Sequence, residues 1–438
     1  MRYYKSWKDY QGLFPGKRSS KSFFKSFWFF LFLLALGIGI QCFKVSLSTG
    51  YFKSEDSFEN EAALGAWAKE DLREILDPEV LCSSPGGKID IHFSGRRYSV
   101  ETTLDQGLQG YMLKQIKRSK SPLIGFVAID PATGRILSMV DSNKANGAKS
   151  VCLSSQFPAA SIFKIVSAAA AIDRCNISAD TKLAYNGRAN TLYKNQLTGR
   201  TNRYTNRVSL KNSFAKSVNP VFGKLGIFRL KKDLLEEYAI RFGFNQWIDF
   251  ELPVELSRIS VGDDPYNWAE VACGFNRETL ISPLHAAMLA AVIVNDGKLM
   301  EPTIVASIAD TDKNPVYIGC ASIIRQVISA KASQEMKELM AATISYGTCS
   351  GTFMGYRRDP ILSKLSMGGK SGYINNKSDE LHYDWFVGFC AERAGTRKLA
   401  LAVLVVHDKF LRERARKIAR GAMRHYFKTG EGQGALKT

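Results

Sequence analysis

The stretch Pro158-Ala-Ala-Ser161-Ile-Phe-Lys164, which continues into Ile165-Val-Ser-Ala-Ala-Ala-Ala-Ile172, decides the fold of this chain. A serine three residues before a lysine places both side chains on one face of a helix. The residues that follow are apolar on every side, which is typical of a helix buried inside a domain. Desolvation favours the neutral amine of a buried lysine. A neutral amine beside a hydroxyl is a general base beside a nucleophile.

Ser-x-x-Lys alone is a weak signal, because an exposed serine and a lysine that extends along the surface give the same spacing. Two later stretches of the sequence make the Ser-x-x-Lys signal much stronger. Ser217-Val218-Asn219 follows it, and Lys370-Ser371-Gly372 comes just before the strand-like run Asp384-Trp-Phe-Val-Gly-Phe389. These three motifs, in this order, are those of penicillin-binding proteins and class A β-lactamases. The sequence resembles the penicillin-binding transpeptidase family, in particular its monofunctional, class B-like members.

The resemblance implies a role for each catalytic residue. Ser161 attacks the carbonyl of a peptidoglycan stem peptide that ends in D-Ala-D-Ala, or of the β-lactam that mimics it. Lys164 takes the serine proton, although the identity of the base is disputed within the wider superfamily. Ser217 passes a proton to the leaving nitrogen, while Asn219 holds the substrate amide and orients Lys164. Lys370 supplies positive charge for the terminal carboxylate of the substrate.

The same resemblance assigns Ser371, Gly372 and Tyr373 to substrate binding. Gly372 has no side chain to block the acyl chain, and the N–H groups of Ser161 and Tyr373 form an oxyanion hole, worth about 3–4 kcal/mol per donor. The family usually has Thr or Ser where this chain has Tyr373, so a short hydroxyl is lost. Three interpretations are open: Ser371 replaces the lost hydroxyl, the Tyr373 phenol restricts which stem peptide fits, or the site is degenerate and has weak activity. If the tyrosine is a defect, Tyr373→Thr raises acylation by penicillin; a fall marks adaptation.

An uncharged run near the N-terminus, Phe27-Trp-Phe-Phe-Leu-Phe-Leu-Leu-Ala-Leu-Gly-Ile-Gly-Ile-Gln-Cys-Phe43, is just long enough to span a bilayer. Against Asp9 alone, the preceding residues carry seven basic side chains: Arg2, Lys5, Lys8, Lys17, Arg18, Lys21 and Lys25. This excess predicts a basic cytoplasmic tail over 1–26, a single transmembrane anchor over 27–45 in the cytoplasmic membrane, and the rest of the chain on the outer side. A cleaved signal peptide is the alternative, but the run ends without a small-x-small site.

The composition narrows the classes of partner. The net charge is +19, and an exported domain does not meet nucleic acid, so lipid head groups and cell-wall precursors are the better anionic candidates. An odd number of cysteines follows the anchor, which leaves at least one unpaired: Cys82, Cys152, Cys175, Cys273, Cys320, Cys349 and Cys390. Neither Cys-x-x-Cys nor a His-rich cluster occurs, so no metal site is expected. The mechanism calls for no cofactor.

Strand patterns at both ends of the outer part predict the fold class. Gly125 to Val140 and Trp385 to Val406 each consist of two apolar runs joined by a polar turn, which is typical of a β-hairpin. Helical patterns lie between them, so we predict an α+β fold, one antiparallel sheet sandwiched by helices, as in the family. The predicted divisions are a small membrane-proximal region over 46–122, the catalytic domain over 123–428 and a flexible tail over 429–438.

A basic segment lies inside the predicted catalytic domain. Between Thr181 and Lys232 there is no Asp or Glu, while twelve residues are basic: Lys182, Arg188, Lys194, Arg200, Arg203, Arg207, Lys211, Lys216, Lys224, Arg229, Lys231 and Lys232. One interpretation is a solvated surface loop. The other is that the segment draws anionic stem peptides, lipid-linked pyrophosphate or the membrane towards the site.

The motifs leave several functions open. The leading prediction is a peptidoglycan D,D-transpeptidase that cross-links the cell wall through an acyl-serine, is acylated by penicillin, and works beside a separate glycosyltransferase and other cell-wall assembly proteins. A membrane-anchored serine β-lactamase, a D,D-carboxypeptidase and a degenerate β-lactam sensor or scaffold are the alternatives. The anchor, and the lack of a recognisable deacylating glutamate, count against the lactamase.

Overall fold

A five-stranded antiparallel sheet forms the centre of the computed structural model. The predicted hairpins supply four of its strands: β3 (Leu123–Ile129) with β4 (Ile136–Asn143), and β14 (His382–Glu392) with β15 (Lys398–His407). The fifth strand, β13 (Leu365–Asn375), pairs with β14, which gives the order β13-β14-β15-β3-β4. Strand β15 also pairs with β3, which joins residues almost 280 positions apart, as in Leu404 opposite Gly125. The predicted α+β class with an antiparallel sheet is confirmed.

The structure describes residues 67–144, 149–408, 410 and 413–434. The predicted cytoplasmic tail over 1–26 and the predicted anchor over 27–45 lie outside these residues. Within the described ranges, no helix is long and apolar enough to cross a membrane.

Helices cover both faces of the central sheet, and β15 shows why. Its residues alternate between two apolar clusters: Ala402 and Leu404 pack on one side, Leu401 and Val403 on the other. The first side is covered by α9 (Pro283–Val294), which is buried along its whole length. The second is covered by α3 (Gln106–Arg118) and α12 (Ala415–Gly434), which also pack against each other. A strand that is buried on both faces needs apolar residues at every position.

The start of α9 is defined by its sequence. Ser282 accepts a hydrogen bond from the His285 backbone N–H at 3.2 Å, and Pro283 takes the first helical position. A capping serine satisfies one of the free N–H groups of the first turn. Proline at the first helical position loses no needed donor.

A smaller sheet, in the order β1-β2-β10-β11, joins the predicted membrane-proximal region to later parts of the chain. Its strands β1 (Lys88–Phe93) and β2 (Arg96–Thr102) precede residue 123, whereas β10 (Val305–Ala309) and β11 (Pro315–Ile318) come some 200 residues later. Because β2 pairs with β10, contacts cross the predicted boundary at residue 122. The division itself stays a prediction.

The remaining strands are β5 (Phe157–Pro158), β6 (Lys182–Tyr185), β7 (Asn206–Ser209), β8 (Leu280–Ile281), β9 (Lys298–Met300) and β12 (Ile323–Gln326). The other α-helices are α1 (Lys69–Ile75), α2 (Pro78–Ser83), α4 (Lys164–Arg174), α5 (Leu210–Ala215), α6 (Asn219–Leu225), α7 (Lys231–Arg241), α8 (Pro265–Cys273), α10 (Ala330–Ser345) and α11 (Ser350–Phe353). Helix α12, which ends at Gly434, continues into the stretch predicted as a tail.

Candidate active site

Ser161 and Lys164 lie at the junction of two kinds of helix. Ser161 belongs to a 3-10 turn, Ala160–Phe163, and α4 begins at Lys164 itself. The spacing of three residues suits this turn, because residues i and i+3 eclipse one another in a 3-10 helix. Lys164 Nζ lies 2.8 Å from Ser161 Oγ. The sequence predicted the contact correctly, but it placed the serine on the helix rather than in the turn before it.

Every group that bonds the Lys164 amine is neutral. Besides Ser161, Nζ contacts Asn219 Oδ1 at 2.8 Å and the Cys273 carbonyl oxygen at 2.5 Å. The side chain is fully buried, and desolvation lowers its pKa from 10.5 to about 8. In the described part of the chain no carboxylate contacts it to restore the charge. The amine is thus poised to accept a proton near neutral pH.

The second motif bridges the two buried lysines. Lys370 Nζ lies 3.0 Å from Ser217 Oγ. Asn219 accepts from Lys164 and donates from Nδ2 to the Asn190 carbonyl at 3.1 Å. Burial, together with the charge of Lys164, lowers the pKa of Lys370 well below its usual value. Ser161, Lys164, Ser217, Asn219 and Lys370 therefore form one connected polar cluster.

Strand β13 is the edge of the central sheet, and it lines this cluster. A Cβ at Gly372 would lie 3.3 Å from Ala160 Cβ and 3.4 Å from the Ala159 carbonyl oxygen, beside the turn that carries Ser161. Tyr373 is 48% exposed. The structure thus brings Ser161, Lys164, Ser217, Asn219 and Lys370 together from four elements, and the other predicted residues, Ser371, Gly372 and Tyr373, follow Lys370 on β13. Their individual roles, including the oxyanion hole, stay predictions.

A family model matches the part of the chain that contains this site. Residues 124–425 match the family model described as the penicillin binding protein transpeptidase domain. The chain belongs to the penicillin-binding protein transpeptidase family.

Relatives and solved structures of this family agree with the match. The chain is 25% identical over 315 residues to the peptidoglycan D,D-transpeptidase PbpA of Mycobacterium tuberculosis, with 64% of this chain and 61% of the relative covered. It thus spans about three fifths of that relative. A D,D-transpeptidase domain from Eggerthella lenta has a TM-score of 0.62 at 22% identity, covering 76% of this chain and 83% of that one. An imipenem acyl-enzyme complex of penicillin-binding protein A from M. tuberculosis has a TM-score of 0.61 at 23% identity, covering 75% and 79%. The structural likenesses show the fold.

Some residues of this family member's site carry no motif in the sequence. The Cys273 and Asn190 carbonyl oxygens hold Lys164 and Asn219, but any residue offers a carbonyl. Thr348 Oγ1 lies 2.6 Å from Ser371 Oγ, across 23 positions of sequence. Gly274 ends α8 with φ +65°, and a Cβ there would lie 1.9 Å from the Ala160 carbonyl oxygen. A glycine after an apolar helix signals a helix end, but not this contact.

His285 takes part in core packing on α9. His285 is fully buried on α9, where its Nε2 contacts the Phe242 carbonyl oxygen at 2.8 Å and burial lowers its pKa to about 4. It is therefore a core residue. Among the described residues, no group of three or more His, Cys, Asp or Glu side chains is arranged to hold a metal ion.

Proposed function

We propose that the protein is a peptidoglycan D,D-transpeptidase that works through an acyl-enzyme on Ser161. The observation that carries the proposal is the Lys164 amine, which is buried, has only neutral bonding partners and lies 2.8 Å from the serine hydroxyl. The family match and a relative named as a peptidoglycan D,D-transpeptidase support the reaction class. The substrate that we propose is a stem peptide ending in D-Ala-D-Ala. The same serine is the expected target of penicillin.

The acylation step balances with the residues present. The neutral Lys164 amine accepts the proton of Ser161 while Oγ bonds to the carbonyl carbon of the penultimate D-alanine. The bond from that carbon to the terminal D-alanine nitrogen breaks, and the nitrogen receives the proton that Lys164 took, passed on through Ser217 Oγ, which leaves Lys164 neutral again. The contact of 3.0 Å between Ser217 Oγ and Lys370 Nζ supports this relay. D-Alanine leaves, and the donor peptide remains as an ester on Ser161.

The second step transfers the acyl group. The amine of another stem peptide attacks the ester carbon, the bond from carbon to Ser161 Oγ breaks, and the proton given up by the amine returns to Oγ through Lys164. The product is a peptide cross-link. A β-lactam follows the first step only, because its ring nitrogen stays tethered after the ring C–N bond breaks.

The acceptor distinguishes this proposal from its alternatives. The full-length protein is incubated with a peptide ending in D-Ala-D-Ala and an amine acceptor, and D-alanine and aminolysis product are both counted. A transpeptidase forms the amide, a carboxypeptidase releases D-alanine and the shortened acid, and a β-lactamase releases penicilloate from penicillin. Ser161→Ala should abolish all turnover, whereas Ser178→Ala, at an exposed serine, should leave it unchanged. A wild-type protein that forms no amide would contradict the proposal.

The setting of the enzyme is also proposed. The run over 27–45 anchors the chain once in the cytoplasmic membrane, the catalytic domain lies outside, and a separate glycosyltransferase makes the glycan that it cross-links. The charge difference across the run supports this orientation. Protease added outside intact cells whose outer barriers are removed should digest the catalytic domain and spare a tag on residue 1; a protected catalytic domain would contradict it.

A further inference from the structure

The loop between β6 and β7 supports the second motif of the active site. Residues 186–193 of this loop have no regular secondary structure, and Asn190 is exposed. The Ala189 carbonyl oxygen nevertheless accepts from the Asn219 backbone N–H at 2.7 Å, and the Asn190 carbonyl oxygen accepts from Asn219 Nδ2 at 3.1 Å. Two successive carbonyls of a surface loop therefore hold one residue of the catalytic cluster.

The contact with Asn190 decides which end of the Asn219 amide faces the base. A backbone carbonyl can only accept a hydrogen bond, so it takes the Nδ2 end of the amide. The Oδ1 end is then left for Lys164, whose Nζ lies 2.8 Å away. A loop that moves away frees the amide to turn. Lys164 then loses one of the neutral partners that hold its amine beside Ser161.

The backbone of the motif also needs support. Ser217 has φ +56°, in the left-handed region that is unfavourable for residues other than glycine. Such a conformation persists only where the surroundings hold it. The Val218 N–H donates to the Ser213 carbonyl oxygen at 2.8 Å on one side, and the Asn219 N–H donates to the loop on the other.

A buried glutamine ties this loop together. Gln196 lies in the 3-10 turn Lys194–Leu197 directly after the loop, and it is only 4% exposed. Its amide makes four hydrogen bonds, all to the loop on either side of Ala189 and Asn190. Nε2 donates to the carbonyl oxygens of Asn186 and Arg188 at 2.8 and 3.0 Å, and Oε1 accepts from Thr191 Oγ1 and the Tyr193 N–H, both at 2.9 Å.

Apolar packing seats the same loop on α6, the helix that begins at Asn219. Leu192 and Leu197 are buried, and a Cβ at Gly223 would lie 2.8 Å from a methyl carbon of each. This packing sets how close the loop lies to the helix. It does not set the direction of the loop carbonyls, because apolar contacts are non-directional. The hydrogen bonds of Gln196 supply that direction.

We propose that Gln196 is a positioning residue for the acylation of Ser161. It holds the loop over 186–193, the loop carbonyls hold Asn219, and Asn219 holds the Lys164 amine. The inference rests on the proposed function, because the reaction that it concerns is the one proposed for Ser161. Neither the family match nor the three motifs assign Gln196 a role.

The test uses a second buried glutamine as its matched control. Gln109 is also buried, and its amide is likewise hydrogen-bonded at both ends, but to residues that the mechanism does not use: Ser84, Ser138 and Met139. The rate constant of acylation by penicillin G at pH 8 is measured by intact mass on the full-length protein, and the melting temperature is recorded beside it. The variants are Gln196→Ala, Gln109→Ala, Asn219→Ala and the double variant Gln196→Ala/Asn219→Ala.

We expect both glutamine variants to lower the melting temperature, because each leaves buried polar partners unpaired. Only Gln196→Ala should slow acylation, by about tenfold or more, since a small misplacement of reacting groups is costly. The double variant should be slowed by less than the product of the two single effects, because Gln196 acts through Asn219. Equal acylation by the two glutamine variants, or effects that multiply, overturns the inference and leaves the proposed function intact.

Gly187→Ala tests the same contact from the loop side, and it decides the matter if Gln196→Ala does not fold. Gly187 is exposed and has φ +74°, and a Cβ there would lie 2.7 Å from Gln196 Nε2. Gly199→Ala is its control, since a Cβ there meets no atom within 4 Å. Slower acylation in Gly187→Ala than in Gly199→Ala supports the inference, and equal rates overturn it. A wild-type protein that penicillin does not acylate at Ser161 contradicts the proposed function itself, and the inference falls with it.

Discussion

At the residue scale, the chemistry depends on the protonation of Lys164. Its pKa of about 8 is set by burial, and only the neutral amine can accept the Ser161 proton. We therefore expect acylation by penicillin to rise about tenfold per pH unit below the pKa, and to level above about pH 8. Rate constants measured from pH 5.5 to 9.5 give the profile. A rate that is flat from pH 6 to 9 would show that Lys164 is not the base.

Lys164→Arg provides the control for this profile. Arginine keeps a positive charge and a long side chain, but it stays protonated. We expect acylation to fall by about a hundredfold or more at pH 8, within the range that general-base catalysis contributes. Circular dichroism would establish that the variant is folded. Near-normal acylation of the folded variant would show that Lys164 is not the general base.

The sequence predicts the site residues that belong to a motif. It does not predict residues that contribute a backbone carbonyl, or contacts between residues that are far apart along the chain. Ser161 and Lys164 are close along the chain, so their contact follows from local helix geometry. The contact of the Arg414 guanidinium with the Tyr373 ring does not, because it depends on how α12 returns to β13 after 41 positions. The sequence left open whether Tyr373 is a defect; its partners could only be seen in three dimensions.

At the element scale, the turn that carries Ser161 depends on the end of α8. Gly274 has φ +65°, and a Cβ there would lie 1.9 Å from the Ala160 carbonyl oxygen. Gly274→Ala should therefore displace the turn, slow acylation at least tenfold and lower the melting temperature by several degrees. Gly351→Ala is the control, since a Cβ there meets no atom within 4 Å. Unchanged acylation in Gly274→Ala would mean that the contact does not position Ser161.

The buried helix α9 gives a pH dependence of stability. Burial lowers the pKa of His285 from 6.5 to about 4. Between these pH values the unfolded chain binds more protons than the folded protein does. The contribution of His285 to stability is therefore present above about pH 6.5 and is lost progressively as the pH falls towards 4. We expect His285→Gln to lose less of its free energy of unfolding than wild type between pH 7 and pH 5, measured by urea unfolding.

The exposed His92 on β1 supplies the matched control for α9. His92→Gln should leave the pH dependence of unfolding as it is in wild type. If His285→Gln and wild type lose the same stability between pH 7 and pH 5, then the buried histidine does not contribute to the acid sensitivity.

At the scale of the whole molecule, the basic segment reaches the active site. Strands β6 and β7 pair, and the loop between them contains Asn190, whose carbonyl oxygen accepts from Asn219. Arg200 and Arg203 in this loop are exposed. Reversing both charges to Glu should slow the capture of anionic stem peptides several-fold at low salt, and the effect should vanish at high salt, because screening shortens to about 3 Å at 1 M. Arg357→Glu is the control. Unchanged kinetics at low salt would contradict a steering role.

The sequence predicts the central sheet better than the smaller one. The four hairpin strands of the central sheet contain apolar runs that are close along the chain, so their pairing could be predicted from the local sequence. Strand β2, by contrast, pairs with β10, and a pairing over 200 positions has no local signal. The contacts of β2 with β10 and of α3 with β4 also cross the predicted boundary at residue 122.

The intact mass of the full-length protein after incubation with penicillin tests the central claim most directly. We predict that wild type gains the mass of one penicillin and keeps it, and that Ser161→Ala gains none. A stable adduct on both proteins would place the nucleophile elsewhere. An adduct on neither would contradict acyl-enzyme formation at Ser161.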